Sequence, residues 1–304
     1  MYSSFMDLAS PGFILFAQHG WADDNRAMLA LAQALATPQA HIVAPSLGYL
    51  QTWLRIMPLI EAAEQIARQT LAQHPDLPLR IVGHSMGGLI WLELLHRHPE
   101  WWSRVHSLVL VASPVGGSDL SRLIDPIGFG VGIAADLGKT RCAIAEPIAA
   151  QIPTLIIAGD IDGGSDGTVP VACTQFANAQ FLCLPGLSHA VMRNHPAVAS
   201  AIQEFWTDTN RGEPLVIIPV INRLRAIEWV TDGHPRDFAK AKTLIALKDG
   251  STLRTWRNSL GILHIYVAAP DGQCLYSGFI GWFHEKELQQ TLDVIRAEEG
   301  IASA

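Results

Sequence analysis

The sequence predicts an α/β protein, a parallel sheet covered by helices on both faces and followed by a small α+β unit. Three observations carry this reading. Short apolar runs without alternation recur through the first 207 residues, separated by stretches with helical spacing, which is the signature of parallel strands buried on both faces. A glycine-bracketed turn, Gly83-His84-Ser85-Met86-Gly87-Gly88, joins one such run to an apolar helix. Beyond residue 210 the character changes: the first 210 residues hold one lysine, Lys139, whereas the remainder holds Lys240, Lys242, Lys248 and Lys286, and the pattern shifts to alternation.

Phe13 to Ala17 is the first strand, ending in Gln18-His19-Gly20-Trp21. Asp23-Asp24-Asn25 offers caps for a helix over Ala27 to Ala36, where Met28, Leu31 and Leu35 share a face. Thr37-Pro38 stops it, and Ile42-Val43-Ala44 is the second strand. A helix from Leu59 to Gln73 turns Ile60, Ala63, Ala67 and Leu71 inward. Leu79 to Val82 is the third strand. The glycine turn and its helix follow, ending near His98-Pro99. Leu108 to Val111, Thr154 to Ala158 and Phe181 to Leu184 are the remaining strands. A last helix begins at His195-Pro196, with proline at a favoured first position, and runs to Phe205.

Residues 113–151 are too long for a simple connection between strand and helix. Leu120, Leu123, Ile124, Ile127, Phe129, Val131, Ile133 and Leu137 within them predict one helix plus a lid or pocket wall. Gly128, Gly130 and Gly132 are not a dinucleotide loop, because no strand precedes them. In the C-terminal part, Asp249-Gly250 and Asp271-Gly272 predict tight hairpin turns. Ile262 to Val267 and Cys274 to Ile280 predict antiparallel strands. Glu285 to Glu298 predicts a closing helix stopped by Gly300, with Leu288, Leu292 and Ile295 on one face. The expected organisation is thus one domain over residues 1–210 and a second, α+β domain over residues 214–304.

Composition narrows the function. Of 304 residues 49% are hydrophobic and 16% charged, enough to bury a sizeable core. A net charge of −7, without basic clusters, argues against nucleic acid and against an anionic membrane as partners. Cys142, Cys173, Cys183 and Cys274 lie far apart without metal-like spacing and read as small core residues in a reducing compartment, and a cytoplasmic protein is expected. The chain shows no leader with a charged start and a long apolar run, and no membrane span is expected.

The chemistry converges on the turn at Ser85. A strand, a sharp turn and a helix force the serine into an unfavourable backbone conformation and bring strand and helix together, so side chains at Gly83 and Gly87 would collide. The reward is an exposed hydroxyl at the positive end of a helix. A serine hydroxyl needs a base. His189, in Gly186-Leu187-Ser188-His189 beyond the sixth strand, is the best placed. His84 neighbours the serine, but neighbours on a tight turn point apart, and His195 reads as a helix cap. The imidazole needs a carboxylate, and the run Gly159-Asp160-Ile161-Asp162-Gly163-Gly164-Ser165-Asp166-Gly167-Thr168-Val169-Pro170 supplies three. Asp166 is preferred because the chain turns there into a new element, with Asp160 and Asp162 as alternatives. A calcium loop is the rival reading of this run, which lacks the downstream glutamate of an EF-hand. Two backbone donors for an oxyanion are expected at Met86 and at Trp21. The Trp21 side chain is a further candidate for the pocket wall.

On His19-Gly20, Gly83 to Gly88, an acid before Val169-Pro170 and Gly186 to His189, in that order, residues 10–207 resemble the α/β-hydrolase superfamily. Ala112 to Ser118 and Ser165 to Pro170 look like small lipases and esterases. The family's first two strands are missing or reduced, since little precedes Phe13. The resemblance implies an ester-cleaving serine hydrolase acting through an acyl-enzyme on a small-molecule or lipid ester. Ser85 is the implied nucleophile, His189 the proton shuttle, Asp166 the orienting acid, and Trp21 and Met86 the oxyanion donors. It implies no metal and no organic cofactor. A thioesterase, amidase or acyltransferase would use the same triad, and a non-catalytic binding scaffold would keep the fold. The C-terminal part matches no family and is expected to serve dimerisation or protein docking, or to cover a sheet edge.

Overall fold

The computed structural model describes residues 12–117, 133–208, 212–227, 229–281 and 284–301. Six strands form one parallel sheet: β1 (Ile14–Gln18), β2 (His41–Val43), β3 (Leu79–His84), β4 (Val105–Val111), β5 (Thr154–Asp160) and β6 (Gln180–Pro185). Their order is β2-β1-β3-β4-β5-β6. The chain passes from β1 to β2 on one side and then crosses back over β1 to β3 on the other, so the order reverses between β1 and β3. In open parallel sheets the crevice at such a reversal, outside the carboxyl ends of the strands, is where ligands bind.

Alternate residues of each strand feed two cores. Ile14, Phe16, Ile81, Leu108, Leu110 and Ile156 face one side. There they meet α2 (Ile56–Gln73), α3 (Met86–Arg97), the short α4 (Ile133–Leu137) and α5 (Cys142–Gln151). Leu15, Ala17, Val82, Val109, Val111, Leu155 and Ile157 face the other side and meet α1 (Arg26–Leu35) and α7 (Pro196–Thr207). Burial on both faces is why β1, β3, β4 and β5 read as unbroken apolar runs. Helix α3 is buried nearly all round, with Leu89, Ile90, Trp91, Leu92, Leu94 and Leu95 at 2% exposure or less. Each such side chain contributes about 1.5–3 kcal/mol, so the helix that carries Ser85 at its start has little freedom to shift.

Helix α1 is capped differently from the expectation. Asn25 does not cap it; its side-chain amide donates to the Ala44 carbonyl. The Asp24 carboxylate accepts from the Arg26 N–H instead. Of the long segment, residues 113–117 and helices α4 and α5 are described. The expected lid and the triplet Gly128, Gly130, Gly132 lie outside the described residues.

The C-terminal part is a second sheet with its own core. Its strands are β7 (Val230–Asp232), β8 (Lys242–Ala246), β9 (Thr252–Arg257), β10 (Leu263–Ala268) and β11 (Cys274–Ile280), in antiparallel order β7-β11-β10-β9-β8. The turns at Asp249-Gly250 and Asp271-Gly272 close two hairpins, each with its glycine at positive φ. One face packs on α8 (Pro219–Arg225) and α9 (Glu285–Glu299) through Val220, Leu224, Leu253, Ile265, Leu288 and Ile295. The short α6 (Val171–Thr174), which follows the acid-rich loop, touches β11.

Candidate functional site

Ser85 stands between β3 and α3 with φ 55° and ψ −126°, a conformation that L-residues rarely adopt. Its N–H donates to the Val111 carbonyl at 2.8 Å, tying the turn to the end of β4. A Cβ on Gly83 would fall 2.5 Å from the backbone of Gly88, so no other residue fits that position without moving the helix. The hydroxyl-bearing turn is therefore held by its backbone, through close packing and the hydrogen bond to Val111.

The loop after β1 lies against this turn. A Cβ on Gly20 would stand 2.8 Å from the Ser85 Cβ and 3.3 Å from the Met86 nitrogen. The His19 side chain sets how that loop sits. Its Nε2 accepts from the Leu47 N–H at 3.0 Å, so the ring proton is on Nδ1, which donates to the Gly20 carbonyl at 3.0 Å. In a trans peptide the N–H points opposite to the C=O. Holding the Gly20 carbonyl toward His19 therefore turns the Trp21 N–H to the other side of the loop. Burial pulls the His19 imidazole below its ordinary pKa and keeps it neutral, as this tautomer requires. The Trp21 ring packs on Val169 and Cys173 and lies 4.4 Å from the Trp53 ring, edge to face.

Of the three aspartates, Asp166 is the one that meets His189. Its Oδ2 accepts from His189 Nδ1 at 2.7 Å, and its Oδ1 accepts from the Thr168 and Val169 N–H groups at 2.9 and 2.7 Å. The His189 N–H in turn donates to the Asp166 carbonyl at 2.9 Å. Asp166 is 2% exposed. Its carboxylate, buried, is matched by donors on both oxygens. Asp160 and Asp162 are engaged elsewhere. The Asp160 Oδ1 accepts from the N–H groups of Asp162, Gly163 and Gly164, and Asp162 accepts from Ser165 and from His234. Among the described residues no group of three or more potential metal ligands gathers.

Two side chains in this arrangement escape a reading of the sequence. His19 was visible only as part of a His-Gly pair. His84, set aside because turn neighbours diverge, reaches His189 from the other direction. Its Nε2–H donates to the His189 carbonyl at 3.0 Å, and the two rings lie 4.7 Å apart. Burial, and then the nearby His189, push the His84 imidazole well below its ordinary pKa. Only the fold, which brings the end of β3 beside the loop after β6, could reveal this pair. Ser85 Oγ makes no direct hydrogen bond to His189 among the described residues; such bonds are often long in unliganded enzymes.

The profile of the family described as serine aminopeptidase, S33, matches residues 9–137. No curated protein matches the sequence. Among solved structures, the mature form of a lipase from Bacillus licheniformis is similar over 66% of this chain and 94% of its own, at 16% identity and a TM-score of 0.51. The propeptide form of that lipase is similar over 88% of this chain and 64% of its own, at 14% identity and a TM-score of 0.53. The phospholipase PlaB from Legionella pneumophila is similar over 66% of this chain and 59% of its own, at 16% identity and a TM-score of 0.50.

Proposed function

We propose that this chain, which has the α/β-hydrolase fold, is a serine hydrolase that cleaves carboxylic esters through an acyl-enzyme. The observation that carries the reading is the 2.7 Å bond from His189 Nδ1 to a buried Asp166, with His189 held beside residue 84 and so beside the Ser85 turn. With its Nδ1 proton committed to Asp166, the His189 ring keeps the Nε2 lone pair free to take a proton from Ser85. Ser85 Oγ then bonds to the acyl carbon, and the carbonyl electron pair moves to the oxygen. The N–H groups of Trp21 and Met86 are the donors for that oxyanion, in a site preorganised by His19 and the start of α3. His189 returns the proton to the leaving alkoxide, and water repeats the sequence on the acyl-enzyme.

The lipase and phospholipase among the similar structures support an ester substrate, and the apolar residues of the 113–151 segment favour an apolar acyl chain. The matching profile is named for a peptidase, so amides are the second reading; the same machinery cleaves them. No disulfide joins the cysteines among the described residues, and a reducing compartment such as the cytoplasm is the setting we propose. No helix among the described residues is long and apolar enough to cross a membrane.

The test is hydrolysis of p-nitrophenyl esters from short to long acyl chains, with aminoacyl anilides alongside, for wild type and Ser85→Ala. Turnover is expected on the esters and to fall by roughly 10⁶ in the variant. Anilide cleavage without ester cleavage would select the peptidase reading. Equal activity of the two proteins would remove Ser85 as nucleophile.

A further inference from the structure

The loop that carries Asp166 is gripped at both ends by the C-terminal sheet unit. At its start, His234, in the turn after β7, donates from Nε2 to Asp162 Oδ1 at 3.1 Å. The same Asp162 carboxylate accepts from the Ser165 N–H at 2.8 Å and from its hydroxyl at 2.8 and 3.0 Å. The Ser165 oxygen then accepts from the Gly167 N–H at 3.0 Å. An unbroken chain of hydrogen bonds thus runs from His234 to the residues on either side of Asp166. Pro235 adds a steric stop, since a Cβ on Gly164 would lie 2.7 Å from its ring.

At the loop's end stands α6, whose Ala172 carbonyl accepts from the Gln175 N–H at 3.2 Å. Arg225, from α8 of the C-terminal unit, donates to the carbonyls of Ala172 and Gln175, each at 2.9 Å. Its guanidinium is anchored by Asp232 at 2.6 and 2.9 Å, and both side chains are 4% exposed or less. A buried pair of this kind is costly to desolvate and strongly destabilising when one partner is removed, so it fixes α6 to the second unit with little play. The parallel-sheet part holds the same stretch through backbone and packing: the Gly186 N–H on the Asp160 carbonyl and the Gly116 N–H on the Cys173 carbonyl, each at 2.7 Å, and the Trp21 ring on Val169. Among the described residues, the only hydrogen bond from outside the loop to the side chains of Asp162 and Ser165 is that of His234.

We infer that the C-terminal unit is a positioning element for Asp166. It holds the acid loop in the one geometry in which the carboxylate meets His189, and it does so through His234, which touches no reacting atom. The inference rests on the reading of Asp166 given above. It replaces docking or dimerisation as the reason for the unit's presence with a role inside the same chain.

The experiment uses the full chain with His234→Asn, Asp162→Ala and the double variant. His234 Nδ1 accepts from the Arg236 N–H. Asparagine can keep that short-range cap while losing the reach to Asp162. Three readouts are compared: the rate at which a fluorophosphonate labels Ser85, the kcat and KM for an ester, and amide exchange over residues 160–170. The loss of one bond to a charged group predicts a fall of roughly tenfold in labelling and kcat, with KM unchanged and faster exchange confined to the loop. The two substitutions should not be additive, and Asp162→Asn, which keeps an acceptor for His234, should recover most of the rate. Wild-type labelling and exchange in His234→Asn, or strict additivity, would overturn the inference. A wild-type protein that never labels would instead sink the serine-hydrolase reading, and the exchange data would still decide whether His234 holds the loop.

Discussion

The Ser85 turn and the Asp166 loop serve one site but are built on opposite principles. The turn is a backbone construction: a Cβ on Gly83 would fall 2.5 Å from Gly88, Ser85 is forced to φ 55°, and α3 behind it is buried on nearly every face. The loop is a side-chain construction: Asp160 organises three N–H groups, Asp162 gathers Ser165 and His234, and Asp166 is left for His189. A backbone construction admits few sequences and fails abruptly. A side-chain construction can be dismantled one bond at a time, and part of it can be supplied from a distant stretch of chain.

The largest expected effect breaks the equivalence of the loop's three carboxylates. Asp166→Asn should lower turnover by roughly 10⁴, because an amide facing His189 Nδ1 favours the wrong tautomer. Asp160→Asn keeps an acceptor oxygen for the backbone N–H groups and should stay close to wild type. Steady-state kinetics on the three single Asp→Asn variants, Asp162→Asn included, checks this. Comparable losses at Asp160 and Asp166 would mean that the loop rearranges in use.

A smaller effect tests the turn side. Gly20→Ala places a methyl group 2.8 Å from the Ser85 Cβ and 3.0 Å from the His84 carbonyl, so the loop carrying Trp21 must retreat. Loss of a single oxyanion donor costs about 10²–10³ in turnover. The expected signature is that fall in kcat with KM nearly constant. A rise in KM at constant kcat would place Gly20 in substrate binding instead.

The same contrast explains what could be read from the sequence. The parallel strands were legible as short apolar runs, most cleanly β1, β3, β4 and β5, which are buried on both faces, and the Ser85 turn because its glycines are obligatory. In the C-terminal unit the hairpin turns and the last two strands were legible, but β8 and β9 were not. Lys242–Ala246 is mostly exposed and Thr252–Arg257 is half polar, so neither carries a clean alternation. The short α8 and β7 were missed with them, and with them Arg225 and Asp232. The loop offered three aspartates in seven residues. Which one faces His189 is decided by which backbone N–H groups the other two capture, a three-dimensional fact. His84 shows the converse limit. Turn neighbours do diverge, but divergence from Ser85 is what sends its ring to the His189 carbonyl.

The smallest expected effect separates the two constructions by pH. His84 is buried and its pKa lies well below the ordinary value. The unfolded chain, with an ordinary histidine near pKa 6.5, therefore takes up a proton first as pH falls. Stability from this group is present above about pH 6.5 and is lost progressively below it, by about 1.4 kcal/mol between pH 7.5 and 5.5 if the ring stays neutral throughout. His19, also lowered by burial, adds to the loss with the same sign. Asp162 behaves otherwise. Burial pushes its carboxyl up, but the bonds from His234 and Ser165 outweigh that and bring it below the ordinary value. Its contribution is present above the ordinary carboxylate pKa and is lost only in more acid solution, so it is constant across the same window. Urea midpoints at pH 7.5 and 5.5 check this. His84→Gln, which retains a donor for the His189 carbonyl, should lose about 1.4 kcal/mol less stability over the window than wild type, whereas Asp162→Asn should follow the wild-type slope. Equal slopes in wild type and His84→Gln would show that the Ser85 turn tolerates a charge beside it, and would remove the idea that a neutral ring holds the His189 carbonyl.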